Sequence, residues 1–132
     1  KNGDIIGRYI STIKNELDNK NEKLKIFCEK LNKNISILEK FTNWIKENIK
    51  NSKDDASAAC NDYLKVLGLV ATAHAWIKVL EVSFKDYNEN KNFYDDKIDT
   101  ARFYFDKVLP RAEQHFKTAI SGSSNLMNFK FN

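Results

Sequence analysis

The residues of this 132-residue chain whose types could do chemistry are two histidines, two cysteines and the adjacent acids Asp54 and Asp55. An imidazole changes charge near neutral pH, so His74 and His115 are the natural candidates for a general base or a metal ligand. Either role needs company: a nucleophile to activate, or further ligands to complete a coordination set. Neither histidine has a Cys, a Glu or a second His three or four residues away, and Glu113 stands at the wrong spacing from His115. His74 falls on the stripe Tyr63, Leu67, Val70, His74, Ile77, which reads as a hydrogen-bonded core histidine. Cys28 and Cys60 lie on different predicted helices with no second Cys or His nearby, and both read as buried, inert packing residues in a reduced, cytosolic setting. Asp54 and Asp55 have no third ligand beside them, so one or the other is expected to cap a helix and complement its dipole.

Motif searches add no active site. There is no G-x-G-x-x-G or G-K-[ST] phosphate loop, no H-E-x-x-H, no Cys pair and no G-x-S-x-G. The Asn34-Ile35-Ser36 triplet matches a glycosylation acceptor, but it falls mid-helix and is read as chance.

The elements that would position these residues follow from apolar periodicity. Helices are predicted over 3–18, 22–50, 56–87 and 90–121. The first carries Ile6, Ile10, Ile13 and Leu17; the second Leu24, Cys28, Leu31, Ile35, Leu38, Thr42, Ile45 and Ile49, with Phe27, Phe41 and Trp44 on its flanks. The third is apolar almost all round from Asp62 to Phe84, the pattern of a post surrounded by partners, and Gly68 within it is expected to admit close packing. The fourth lays down Tyr94, Ile98, Ala101, Phe105, Val108, Ala112, Phe116 and Ile120. Pro110 removes the amide that would bond the Asp106 carbonyl, predicting a kink or local opening there. Asn21 is a candidate N-cap, Asn90 or Asn92 begins the fourth helix, and Gly122 is a natural end to it, with Leu126, Met127, Phe129 and Phe131 as an apolar tail. One Pro and four Gly leave little turn chemistry for a sheet, so the fold class is all-α, an up-down four-helix bundle forming a single domain over 1–132.

Net charge is +4, and the excess lies in residues 1–50, which hold eleven Lys/Arg against seven Asp/Glu. There Glu16 to Lys20 and Glu29 to Lys33 stand at supportive helical spacing, and the acids interleave with the lysines as on a solvated helix face. Only Arg8, Arg102 and Arg111 offer the guanidinium suited to phosphate. Nucleic-acid binding is disfavoured on these grounds, as is a basic membrane-surface role. Charges interrupt the apolar stretch from Asp62 to Phe84, so it reads as a core helix and not a membrane span.

Two segments carry a family resemblance. Asp62-Tyr63-Leu64-Lys65-Val66-Leu67-Gly68-Leu69-Val70-Ala71, followed by Trp76, resembles the Tyr-Leu-x-Leu-Phe-Gly-x-Val-Ala…Trp segment of the C-terminal helical domain in one branch of the acyl-CoA dehydrogenases, the 3-methylmercaptopropionyl-CoA dehydrogenase type. Phe93-Tyr94-x-x-Lys97-x-x-Thr100-Ala101-Arg102-Phe103-Tyr104, then Leu109-Pro110 and Ile120-x-Gly122, resembles that domain's last helix. Asn43-Trp44 agrees as well.

The resemblance implies a fragment of a longer enzyme that uses FAD to desaturate an acyl-CoA, a carboxylate base removing the α-proton while hydride passes from the β-carbon to the flavin. Flavin, thioester and base would belong to acyl-CoA dehydrogenase domains upstream of Lys1, so no catalytic, cofactor-binding or metal residue is assigned to this chain. Tyr63, Gly68, Trp76, Lys97, Thr100, Arg102, Tyr104 and Pro110 carry the motif, with a structural or interdomain role expected for them. Lys97, Thr100, Ala101 and Tyr104 would share one helical face. The expected job is accessory: covering the catalytic body and contributing contacts in a homo-oligomer. The alternative is a free-standing helical protein-interaction module.

Overall fold

A computed structural model describes the backbone of residues 2–18 and 20–128 and the side chains of residues 5–18 and 20–121. Within them the chain is all helical: α1 (Asn2–Leu17), α2 (Lys25–Asn51), α3 (Lys53–Lys85), α4 (Lys91–Phe103) and α5 (Arg111–Asn128). Short 3-10 turns at Glu22–Leu24 and Tyr87–Glu89 lead into α2 and α4, and a π turn at Tyr104–Val108 joins α4 to α5.

Local chemistry sets each boundary. Asn21 caps the first 3-10 turn, its Oδ1 accepting from the Lys23 amide at 2.9 Å. Between α2 and α3 a single extended residue, Ser52, does two jobs. Its amide donates to the Asn48 carbonyl at 2.6 Å and closes α2, while its Oγ accepts from the Asp55 amide at 3.4 Å and opens α3. The cap is therefore Ser52 and not Asp54 or Asp55, which sit in the first turn where their charge complements the helix dipole. Asn90, the earlier of the two candidates, caps α4 by accepting from the Phe93 amide at 3.2 Å.

Pro110 produces the predicted opening. The Leu109 amide reaches back five residues to the Tyr104 carbonyl at 2.8 Å, the signature of a π turn, and the α-helix resumes at Arg111. The wider turn shifts the inward register: Leu109 is fully buried where Val108 was expected, and Ala119 is buried where Ile120, 42% exposed, was expected. Gly122 does not end α5, whose backbone continues to Asn128. The side chains of the apolar tail lie outside the described residues.

The core is assembled on α2 and α3. The α2 stripe is buried from Leu24 to Thr42, and the flanking Phe27 and Phe41 belong to the core with it. Fully burying Phe41 or Phe105 is worth about 1.5–3 kcal/mol each. Phe41 meets Tyr63 edge-on at 5.1 Å and Phe116 at 5.2 Å, and Phe27 meets Phe105 at 5.2 Å, so rings from α2, α3, the π turn and α5 interlock. Asn34 is buried with its Nδ2 donating to the Lys30 carbonyl, a helix-interior role.

The third helix corrects three expectations. By length and composition α3 is apolar enough to cross a membrane, yet its surroundings cover one side only. Val66, Val70, Ala73, Ile77 and Leu80 are buried, whereas Leu64 is 62% exposed and Val82 49% exposed. Gly68 sits on that open side, and a Cβ built there would meet nothing within 4 Å, so no close packing requires it. Cys60 is exposed as well; only Cys28 is the buried thiol, and burial pushes its pKa up.

Candidate functional site

Two of the motif residues, Tyr104 and Tyr63, stand at seams between α3 and its neighbours. At the first, Tyr104 in the π turn donates its hydroxyl to the Leu69 carbonyl of α3 at 2.6 Å. Burial is the main reason its phenol titrates above the usual value. At the second, Tyr63 of α3 meets Thr42 of α2 at 2.8 Å. The Thr42 hydroxyl spends its one proton on the Leu38 carbonyl, so Tyr63 is the donor. Trp76 packs half-buried against the core.

The remaining motif residues do not converge. Lys97 lies over the Phe93 ring at 5.2 Å, and the exposed Thr100 donates to its own helix at the Asp96 carbonyl. Ala101 is fully buried, so the face expected to unite Lys97, Thr100, Ala101 and Tyr104 divides between core and solvent. Arg102 borders an open groove of about 500 Å³ with Phe84, Tyr87 and Asp95, on another side of α4. Pro110 borders a smaller groove of about 200 Å³ with Asn34, Phe105 and Glu113, closed at one edge by the Lys30–Asp106 ion pair. Lys30 donates to Asp106 and holds its carboxyl below the usual range.

The structure also pairs both histidines across helices, which spacing along the chain could not reveal. His74 Nε2 contacts Glu16 of α1, and this hydrogen bond is the leading cause that lowers the Glu16 carboxyl pKa. His115 Nδ1 of α5 lies 3.0 Å from Asp62 Oδ1 of α3. A carboxylate on one ring nitrogen orients an imidazole, and in a hydrolytic triad the other nitrogen would face a nucleophile. Among the described residues neither imidazole hydrogen-bonds a serine, threonine or cysteine, and no group of three His, Cys, Asp or Glu is placed to hold a metal ion. What the two pairs do is tie α1 and α5 to α3. The only sequence signal for them is that Glu16 and Asp62 stand beside core stripes.

A family model described as "Acetyl-CoA dehydrogenase C-terminal like" matches residues 7–130. No curated protein matches the chain.

Proposed function

Because the chain belongs to the acetyl-CoA dehydrogenase C-terminal-like family, we propose that it is the accessory, non-catalytic C-terminal domain of a FAD-dependent acyl-CoA dehydrogenase, of the 3-methylmercaptopropionyl-CoA dehydrogenase-like branch. The match over residues 7–130 is the observation that carries this reading. The branch rests on the Tyr63–Trp76 and Phe93–Pro110 motifs.

The proposal assigns no flavin contact to this chain's own residues. Gly3 and Gly7 lie in α1, Gly68 in α3 and Gly122 in α5, so each of the four glycines is inside a helix and none forms a loop whose amides could cradle a pyrophosphate. Flavin, acyl-CoA and the proton-abstracting carboxylate are assigned to upstream domains of a cytoplasmic enzyme of fatty-acid metabolism. The flavin there would accept the hydride. This domain's part is packing: Tyr63 and Tyr104 fix α2 and the π turn on α3, and Lys97, Thr100 and Arg102 remain at the surface for interdomain contacts.

The four helical segments, with α4 and α5 counted as one, are proposed to run up-down-up-down. Pairings Thr42–Tyr63, Asp62–His115 and Leu69–Tyr104 support opposite directions for neighbours, and Glu16–His74 with Lys20–Glu81, and Phe27–Phe105 with Phe41–Phe116, support a common direction for alternate segments.

The test is the absorption spectrum of the parent protein, before and after anaerobic addition of acyl-CoA thioesters of several lengths. Flavin absorption that bleaches with one thioester is the expected result, and it would name the substrate class. A colourless protein would overturn the reading.

A further inference from the structure

The groove beside Arg102 holds charges that the fold does not use. Asp95, Ile98, Asp99 and Arg102 stand at i, i+3, i+4 and i+7 on one side of α4, so two carboxylates and a guanidinium border the same 500 Å³ of open space. Phe84 near the end of α3 and Tyr87 in the turn after it line the groove too, and Ile98, 6% exposed, is its apolar floor. Lys23 of the first 3-10 turn completes the rim, its Nζ 5.8 Å from the centre of the Phe84 ring.

Charge pairing sets this groove apart from the smaller one at Pro110. There Lys30 is spent on Asp106 and Glu113 on Lys117. Here, among the described residues, Lys23, Asp95, Asp99 and Arg102 enter no ion pair. Asp95 accepts one hydrogen bond, from the Tyr87 hydroxyl at 2.8 Å, which orients that carboxylate without neutralising it. Asp106, the acid one turn beyond Arg102, is held by Lys30.

The order of these charges sets the shape of a ligand that would satisfy them. Asp95 and Arg102 are seven residues apart, about 10 Å along the helix axis at 1.5 Å per residue. A molecule answering both carries an ammonium group and an anionic group about that far apart, with an apolar middle. A free amino acid holds its two charges only about 3 Å apart and is too short. Three extended residues span about 10 Å, and both free ends of such a peptide are charged at neutral pH.

We propose that this groove binds a short peptide with free ends, about three residues long and apolar at its centre. The ammonium end meets Asp95 and Asp99, the carboxylate end meets Arg102 and Lys23, and the central side chain lies on Ile98 beside the Phe84 and Tyr87 rings. Capture of chain termini is a recurring recognition mode, a guanidinium suits a carboxylate, and the volume falls in the range of small-ligand sites. The assignment takes Arg102 alone from the residues held for interdomain contacts and is independent of the flavin reading, so either can fail without the other.

Isothermal titration calorimetry of the full chain with the tripeptide Ala-Leu-Ala reads the site directly, with an expected dissociation constant on the order of 100 µM. Amidating its C-terminus weakens binding at least about threefold, and acetylating its N-terminus does the same, since each removes one exposed charge contact. Arg102→Gln weakens the free tripeptide by that factor and leaves the amidated one unchanged. Asp95→Asn with Asp99→Asn weakens the free tripeptide likewise and leaves the acetylated one unchanged. All three side chains are exposed, so helix content by circular dichroism stays that of the parent chain. Free leucine binds at least about tenfold more weakly than the tripeptide. No heat up to about 1 mM tripeptide, or binding that the caps and the variants leave unchanged, would overturn the proposal. So would leucine binding as tightly as the tripeptide, because the span from Asp95 to Arg102 would then play no part.

Discussion

Along α3 two faces of similar hydrophobicity have opposite fates. Leu80, Val70 and Ile77 on one side are enclosed by α2, α5 and the rest of the core, while Leu64 and Val82 on the other meet solvent. Hydropathy alone treats them alike, which is why the helix reads in sequence as a post surrounded on every side. The difference lies in the neighbours: α1, α2 and the α4–α5 segment wrap one side of α3, and Gly68 marks the side they leave open. A helix apolar all round therefore reports how many contacts it can make in total, including those beyond its own domain.

The same truncation on the two faces gives the largest contrast. Leu80→Ala is expected to cost about 2–5 kcal/mol in urea unfolding, from lost burial plus a cavity. Leu64→Ala should stay within about 0.5 kcal/mol. Equal losses would break the distinction. Next in size, Tyr104→Phe removes the hydroxyl bond that ties the π turn to α3 and should cost about 1 kcal/mol. No change there would show that the seam is held by ring packing alone.

Gly68→Ala sharpens the comparison from the other direction. With no atom to displace, the added methyl should raise stability by up to about 1 kcal/mol through helix propensity. A loss would mean that something occupies the open face after all.

The smallest effect comes from the α1 side of α3, where Glu16 meets His74. The Glu16 carboxyl pKa lies below its ordinary 4.5 in the folded chain, chiefly through the His74 hydrogen bond. A group whose folded pKa is depressed contributes stability that is present above its unfolded value and lost as pH falls through the folded one. Unfolding midpoints measured from pH 6 downward should therefore decline less steeply below 4.5 in Glu16→Gln than in the parent chain. Because the carboxylate is exposed, the difference will be small.

Much of the fold was legible because it depends on local periodicity. The α1 stripe, the α2 stripe as far as Thr42 and the opening at Pro110 follow from spacing and from a missing amide, while Ile49, expected to end the α2 stripe, is 52% exposed. What escaped depends on events between elements. The π turn inserts extra backbone, so Leu109 and Ala119 replace Val108 and Ile120 at the core. Ser52 was hidden by the acidic pair after it, since both readings satisfy the same orphan amides. Cys60 shares its helix with buried neighbours but lies off their stripe. The two imidazole–carboxylate contacts join residues far apart in the chain, and only the assembled bundle brings them together. Among motif residues, the roles of Tyr63 and Tyr104 depend on acceptors in other elements, Thr42 and the Leu69 carbonyl, that no motif names.

The measurement that bears most directly on the proposed accessory role is the rate of anaerobic flavin bleaching by acyl-CoA in the proposed parent enzyme carrying both His74→Gln and His115→Gln. A non-catalytic domain predicts a rate within about twofold of the unmodified enzyme. A fall of about 10²-fold or more, the usual worth of a general acid or base, with the fold and flavin content intact, would place an imidazole of this chain in the chemistry and contradict the account.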